Sequence, residues 1–236
     1  MIVLVNYANE LMSISQEKLR ESSLKYGVDK VIEYKGQKDL GSEFVQFNSE
    51  VFSKERGDGY WLWKPYIIYK AMLELSEGDI LIYSDCGQYF IDDVGHIIRS
   101  MDEDIFFFSN GHQHVHWCKG DVIKGILGEC KDECQQVQAS VIFFKVNQKT
   151  KEFVREWLLW SQMPGFIDDS PSKEPNHPEF AEHRHDQAIL TCLQIKYGYK
   201  LHWWADGNWY LSQRHKWPGD HYPPIFHHHR KRNNEW

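Results

Sequence analysis

The chain has 236 residues, 42% hydrophobic and 15% aromatic, which is enough apolar surface for one substantial α/β domain and excludes global disorder. A net charge of −7 argues against a nucleic-acid binder, because neutralising phosphates needs a basic face and the only dense basic run is Arg230-Lys231-Arg232. Five scattered cysteines point to reduced thiols, and Cys130 and Cys134 lack the second Cys or His pair that a zinc finger requires.

In chain order, strands alternate with helices, which predicts a layered α/β domain over residues 1–236 with no internal boundary. Ile2 to Asn6 reads as a buried strand, too short for a signal segment, and no window approaches the ~20 apolar residues of a membrane span. A cytoplasmic protein without an integral membrane segment is therefore expected. Ser13 to Tyr26 reads as an amphipathic helix capped by Ser13 or Ser15 and stopped by Gly27. Val31 to Tyr34 is a second strand, and Ser42 to Glu55 a helix. A glycine-rich turn over 56–60 precedes a helix that Pro65 opens, with Ile68, Met72 and Leu75 on its buried stripe. Ile80 to Tyr83 is a central strand; Ile105 to Phe108 and Ser140 to Lys145 are further strands. Helices are expected over 120–127, 148–160 and 183–197, the last ended by Gly198 and burying Ile189, Leu193 and Tyr197. Between the last two, 163–180 carries four prolines and reads as a long binding loop.

Four segments carry chemistry. Asp85 sits where the central strand ends, the position at which open α/β sheets gather ligands, and the small Cys86 and Gly87 leave room for an approaching ligand. A carboxylate there either ligates a divalent cation gripping a diphosphate or simply caps the next turn. Trp61-Leu62-Trp63-Lys64 precedes a helix start, where backbone N–H groups and a lysine favour an anion. Asp186 and Gln187 open another helix, whose dipole should hold Asp186 ionised, while exposed histidines in a capping box are the bland alternative. In the tail, one of His227, His228 and His229 offers a metal ligand, and Arg230 and Lys231 offer charge for a leaving diphosphate. No hydrolase elbow, phosphate loop or Gly-x-Gly-x-x-Gly occurs.

Taken in this order, Arg56-Gly57 through Lys64-Pro65, Gly78 through Gly87, and His183-Arg184-His185-Asp186-Gln187 resemble a group of GT-A-type glycosyltransferases. These occur among bacterial polysaccharide-building and large-virus glycan-building enzymes, and the likeness runs from the first strand to the His-His-Arg tail. The resemblance implies an α/β/α sandwich with a mostly parallel central sheet, a nucleotide-diphosphate-sugar donor, a glycan acceptor, and a divalent metal, Mn²⁺ or Mg²⁺. Carried over, it assigns Tyr7, Lys64, Asp85, Gly87, Arg230 and Lys231 to the donor, and Trp63, Gln138, Ser140 and His185 to the acceptor sugar. Asp186 and Gln187 stand nearest the reaction, with Asp85 and His228 on the metal. One departure stands out: the usual Asp-x-Asp is here Asp85-Cys86-Gly87, which weakens metal binding.

Two other functions share these features. A carbohydrate-binding module would use Trp61, Trp63, Trp203, Trp204 and Trp209 as stacking platforms. A sugar nucleotidyltransferase would carry a glycine-rich basic signature after the first strand, where this chain has Tyr7-Ala8-Asn9-Glu10.

Overall fold

A computed structural model describes residues 1–207, 217 and 219–236. Its centre is a six-stranded sheet in the order β2-β1-β3-β6-β5-β7. The strands are β1 (Ile2–Ala8), β2 (Lys30–Lys35), β3 (Ile80–Ser84), β5 (Ile105–Gln113), β6 (Gln135–Lys145) and β7 (Leu201–His202). β1 runs parallel to β2 and β3, and β5 parallel to β7, whereas β6 lies antiparallel to both β3 and β5. The sheet is thus mostly parallel, with β6 alone reversed. A second small ladder pairs β4 (Gln88–Phe90) with β8 (Phe226–His228) from the tail.

Both faces of the sheet are buried, because the strands read as near-continuous apolar runs rather than alternating ones. Val3, Val5, Leu81, Tyr83, Ile142 and Phe144 face a core closed by α5 (Trp63–Glu74), α8 (Gln148–Ser161) and α9 (His185–Tyr197). Leu4, Ile82, Phe106, Phe108, Val141 and Phe143 face the other way, onto α1 (Ser13–Lys25), α6 (Gly95–Ser100) and Trp203, Tyr222, Ile225 and Phe226. The result is the expected three-layer sandwich.

Local departures from expectation have physical causes. The helix expected over 42–55 is split into α2 (Ser42–Phe47) and α3 (Ser49–Phe52) at Asn48, whose side-chain amide donates back to the Phe44 carbonyl at 2.8 Å. Helix α5 starts at Trp63, so Pro65 is its third residue, still within the first turn where a missing N–H costs nothing. Ser13 and Ser15 do not cap α1; the Ser15 hydroxyl donates to the Lys231 carbonyl at 2.6 Å, and Asn233 bonds Ser13 and the backbone of Glu10 and Ile14. The polar face of α1 therefore grips the tail. Tyr197, expected on the buried stripe of α9, is 49% exposed, while the helix buries residues on nearly every side through Gln194.

The turn between α3 and α5 is a single distorted coil, α4 (Gly57–Tyr60), in which Gly57, Asp58, Gly59, Tyr60 and Trp61 all have positive φ. Such a run is costly for residues with side chains and persists only where the surroundings fix it. Gly59 sits against Phe52, and a Cβ there would lie 2.7 Å from that ring. Replacing Gly59 by alanine should cost about 1–3 kcal/mol. Urea unfolding measures it, and an unchanged midpoint would mean that the turn yields freely.

Candidate functional site

The carboxyl ends of β1, β3 and β5 and the start of β6 open into one cleft of about 1460 Å³. Asp85 follows the last residue of β3, and its backbone N–H donates to the Ser140 carbonyl at 2.8 Å, so β6 fixes where it points. Its Oδ1 accepts the buried Tyr83 hydroxyl at 2.5 Å, yet the side chain remains 33% exposed to the cleft.

Lys64 lies beneath it. Only 4% of this side chain is exposed, and its Nζ stands 2.8 Å from Asp186 and 3.5 Å from Asp85. It also donates to the Ala139 carbonyl at 3.3 Å and faces the Tyr83 ring. Burial opposes the charge, but Asp186 and Asp85 outweigh it and hold the ammonium above the ordinary lysine range. A lysine from α5, an acid from α9 and an acid from β3 thus form one buried cluster of charge.

Asp186 behaves differently from the expectation that the helix dipole alone would set its charge. Burial pushes its carboxyl up to about 6, with Lys64 pulling the other way. It enters α9 after His185, whose φ of 49° is left-handed. His183 and His185 are buried rather than exposed, which removes the capping-box alternative. His185, expected to meet a sugar, is in the cleft lining, and its ring packs on Tyr60 and Trp61 and bonds the Ile167 carbonyl at 2.7 Å through Nδ1. It holds the strained turn against the 163–180 segment. Gln187 bridges to β6, accepting from the Ala139 N–H at 3.2 Å and donating to Gln136 at 2.8 Å.

The remaining expected residues divide. Tyr7, Trp63, Gln138 and Ser140 line the cleft. Trp63 stacks on Tyr7 at 4.1 Å and donates to the Gly57 carbonyl, while Tyr7 bonds Asp58. Gly87 also lines the cleft, and it shares its space with the tail: its carbonyl accepts from His229 and Arg230, and a Cβ there would sit 3.3 Å from the Arg230 Cα. Arg230 lines the cleft and its Nε donates to His228 at 3.2 Å. Burial, then Arg230, lower the His228 pKa, so the ring is neutral near pH 7. Lys231, expected beside it, points away over Trp236, and Arg232 takes its place in the cleft lining. Sequence reading also passed over Arg184, Asn110 and Gln136, which line the same cleft. Their signal was present only as adjacency to stronger motifs.

Of the expected stacking platforms, Trp63 and Trp203 are buried, and Trp209 lies outside the described residues. Among the described residues no helix is long and apolar enough to cross a membrane.

No known family model and no curated protein matches this sequence. Among solved structures, mouse xyloside xylosyltransferase 1 superposes with a TM-score of 0.52 at 8% identity, over 100% of this chain and 99% of that one. A glycosyltransferase involved in glycosylating the major capsid of PBCV-1 gives a TM-score of 0.47 at 11% identity, covering 96% of this chain and 93% of that one. WbbM, a bifunctional glycosyltransferase, gives a TM-score of 0.48 at 13% identity, with 81% of this chain spanning only 37% of its length. The fold is that of the GT-A-type glycosyltransferases.

The charge cluster makes a stability prediction. Lys64→Met leaves Asp186 buried without its cation and should cost about 3–5 kcal/mol, whereas Lys64→Met combined with Asp186→Leu should recover most of that loss. Guanidinium unfolding of the three proteins decides it, and equal losses in the single and double variants would contradict the pairing.

Proposed function

We propose that this protein transfers a sugar from a nucleotide-diphosphate donor to a hydroxyl of a carbohydrate acceptor. The observation that carries the reading is the placement of Lys64, buried between Asp85 and Asp186 at the base of a cleft rimmed by Arg184, Arg230 and Arg232. In the reaction the anomeric C–O bond breaks and its electron pair leaves on the diphosphate. Arg230 and Arg232 neutralise that charge, the largest electrostatic demand of the step. The acceptor oxygen bonds to the anomeric carbon, and its proton passes to Asp186, a carboxylate tuned toward the pH range in which a base works. Gln138 and Ser140, linked by a 2.9 Å hydrogen bond, supply polar contacts for the acceptor.

A divalent cation, Mn²⁺ or Mg²⁺, fits this reading in a reduced form. Asp85 is partly exposed and His228 is neutral, so the two would hold the ion together with donor phosphates and water, as magnesium sites with few protein ligands do. When bound, it would add positive charge beside the diphosphate. Polysaccharide or glycan assembly is the process that such a transfer serves, and residues 1–236 act as one catalytic domain.

Three outcomes test the proposal. UDP, GDP, CDP or dTDP, one of them selectively, should raise Tm, more so with Mn²⁺; at a hundred times Kd the gain is about 2.7 kcal/mol of stability. A carbohydrate-binding module would respond to glycans and ignore all four nucleotides. Asp85→Ala should abolish transfer while keeping a native circular dichroism spectrum, and full activity in that variant would falsify the assignment. The rate should fall as pH drops through about 6, where Asp186 gains its proton. Asp186→Asn should lose about 10²–10⁴-fold in kcat and with it this acidic limb; a pH profile that keeps the limb in the variant would assign it elsewhere.

A further inference from the structure

Away from the cleft, the end of β5, the start of α7 (Gly120–Ile126) and the middle of α9 bring together three side chains that the transfer reaction does not use. His114, Cys118 and Cys192 are all buried, and their ligand-type atoms lie within 4.8 Å of one another. The His114 Nε2 is 3.2 Å from the Cys192 Sγ, and the two sulfurs are 3.9 Å apart. A tetrahedral zinc with Zn–S near 2.3 Å and Zn–N near 2.0 Å separates sulfur pairs by roughly 3.8 Å and sulfur–nitrogen pairs by roughly 3.5 Å. Two of the three pairs are already close to that spacing, and the third lies within 4.8 Å.

His114 turns its Nε2 toward the sulfurs, while its Nδ1 is buried without a hydrogen-bond partner among the described residues. The Cys134 carbonyl accepts the His114 backbone N–H at 2.8 Å, so the 128–134 loop, which carries the half-buried Cys130 and Cys134, adjoins the trio. No finger spacing marks Cys118 and Cys192 in the sequence.

We propose that His114, Cys118 and Cys192 bind a structural zinc ion. Each thiol gives up its proton to solvent to become a thiolate, and the imidazole binds as the neutral ring. All three ligands are buried, and none of them lines the cleft, which separates this site from the one proposed for transfer. Its place in the fold gives it a purpose: Cys192 is about 9 Å along α9 from Asp186, so the ion would tie the helix bearing Asp186 and Gln187 to the end of β5 and the 128–134 loop.

The test is metal content under reducing conditions, with the full chain dialysed against zinc and then against buffer. One zinc per chain is expected in the wild type and in Cys86→Ser, and under about a tenth of that in Cys118→Ser/Cys192→Ser. Because the double variant could fail to fold, cobalt is added to chelator-stripped wild-type protein as well. A thiolate-to-cobalt charge-transfer band, with Tm restored toward the untreated value, is expected. Wild-type protein that holds no zinc and gives no such band overturns the proposal.

Discussion

The site depends on one arrangement of charge, the ammonium of Lys64 sealed between two carboxylates. Burying that cation would be prohibitive alone, and it is tolerated because Asp186 and Asp85 approach it from two different elements while the Ala139 carbonyl takes one of its protons. The pairing is mutual: burial would otherwise raise Asp186 further, and Lys64 restrains it. It also explains why three elements distant in sequence meet where they do, since α5, β3 and α9 each contribute one member. The left-handed residues at 57–61 and at His185 meet where the Tyr60 ring stacks on His185. The strain they carry is held in place by the packing that positions the charges.

Around this centre the cleft lining mixes both signs: Arg56, Lys64, Arg184, Arg230 and Arg232 against Glu55, Asp58, Asp85 and Asp186. Arg56 and Arg184 both pair with Glu182, and Arg56 also with Asp169, which tethers the 163–184 segment to the strained turn. Positive charge for an incoming anion therefore comes chiefly from the tail, through Arg230 and Arg232, in a chain whose net charge is −7.

The layers of the fold were readable from sequence because they rest on apolar periodicity, which short strands such as Ile80–Ser84 and helices such as α8 display locally. Asp85, Lys64 and Asp186 were legible for a related reason: each adjoins a strand or helix end that can be seen in the pattern. What escaped were features set by long-range contact. Ser15 looks like a helix cap and is in fact a partner of the tail at Lys231, 216 residues away. Gly87 lines the cleft but is also packed by the backbone of Arg230 from the tail. Lys231 and Arg232 are neighbours with opposite orientations, and only the extended path of the tail over α1 decides which enters the cleft. His114, Cys118 and Cys192 share no spacing motif because three separate elements bring them together.

The hold of the tail on Gly87 links two parts of the molecule that would otherwise move independently. The same carbonyl, two residues beyond Asp85, anchors the backbone of both His229 and Arg230. Asp85 and Arg230 are therefore placed by one turn of backbone, although 145 residues separate them in the chain, so the carboxylate and the guanidinium of the cleft share a single point of reference.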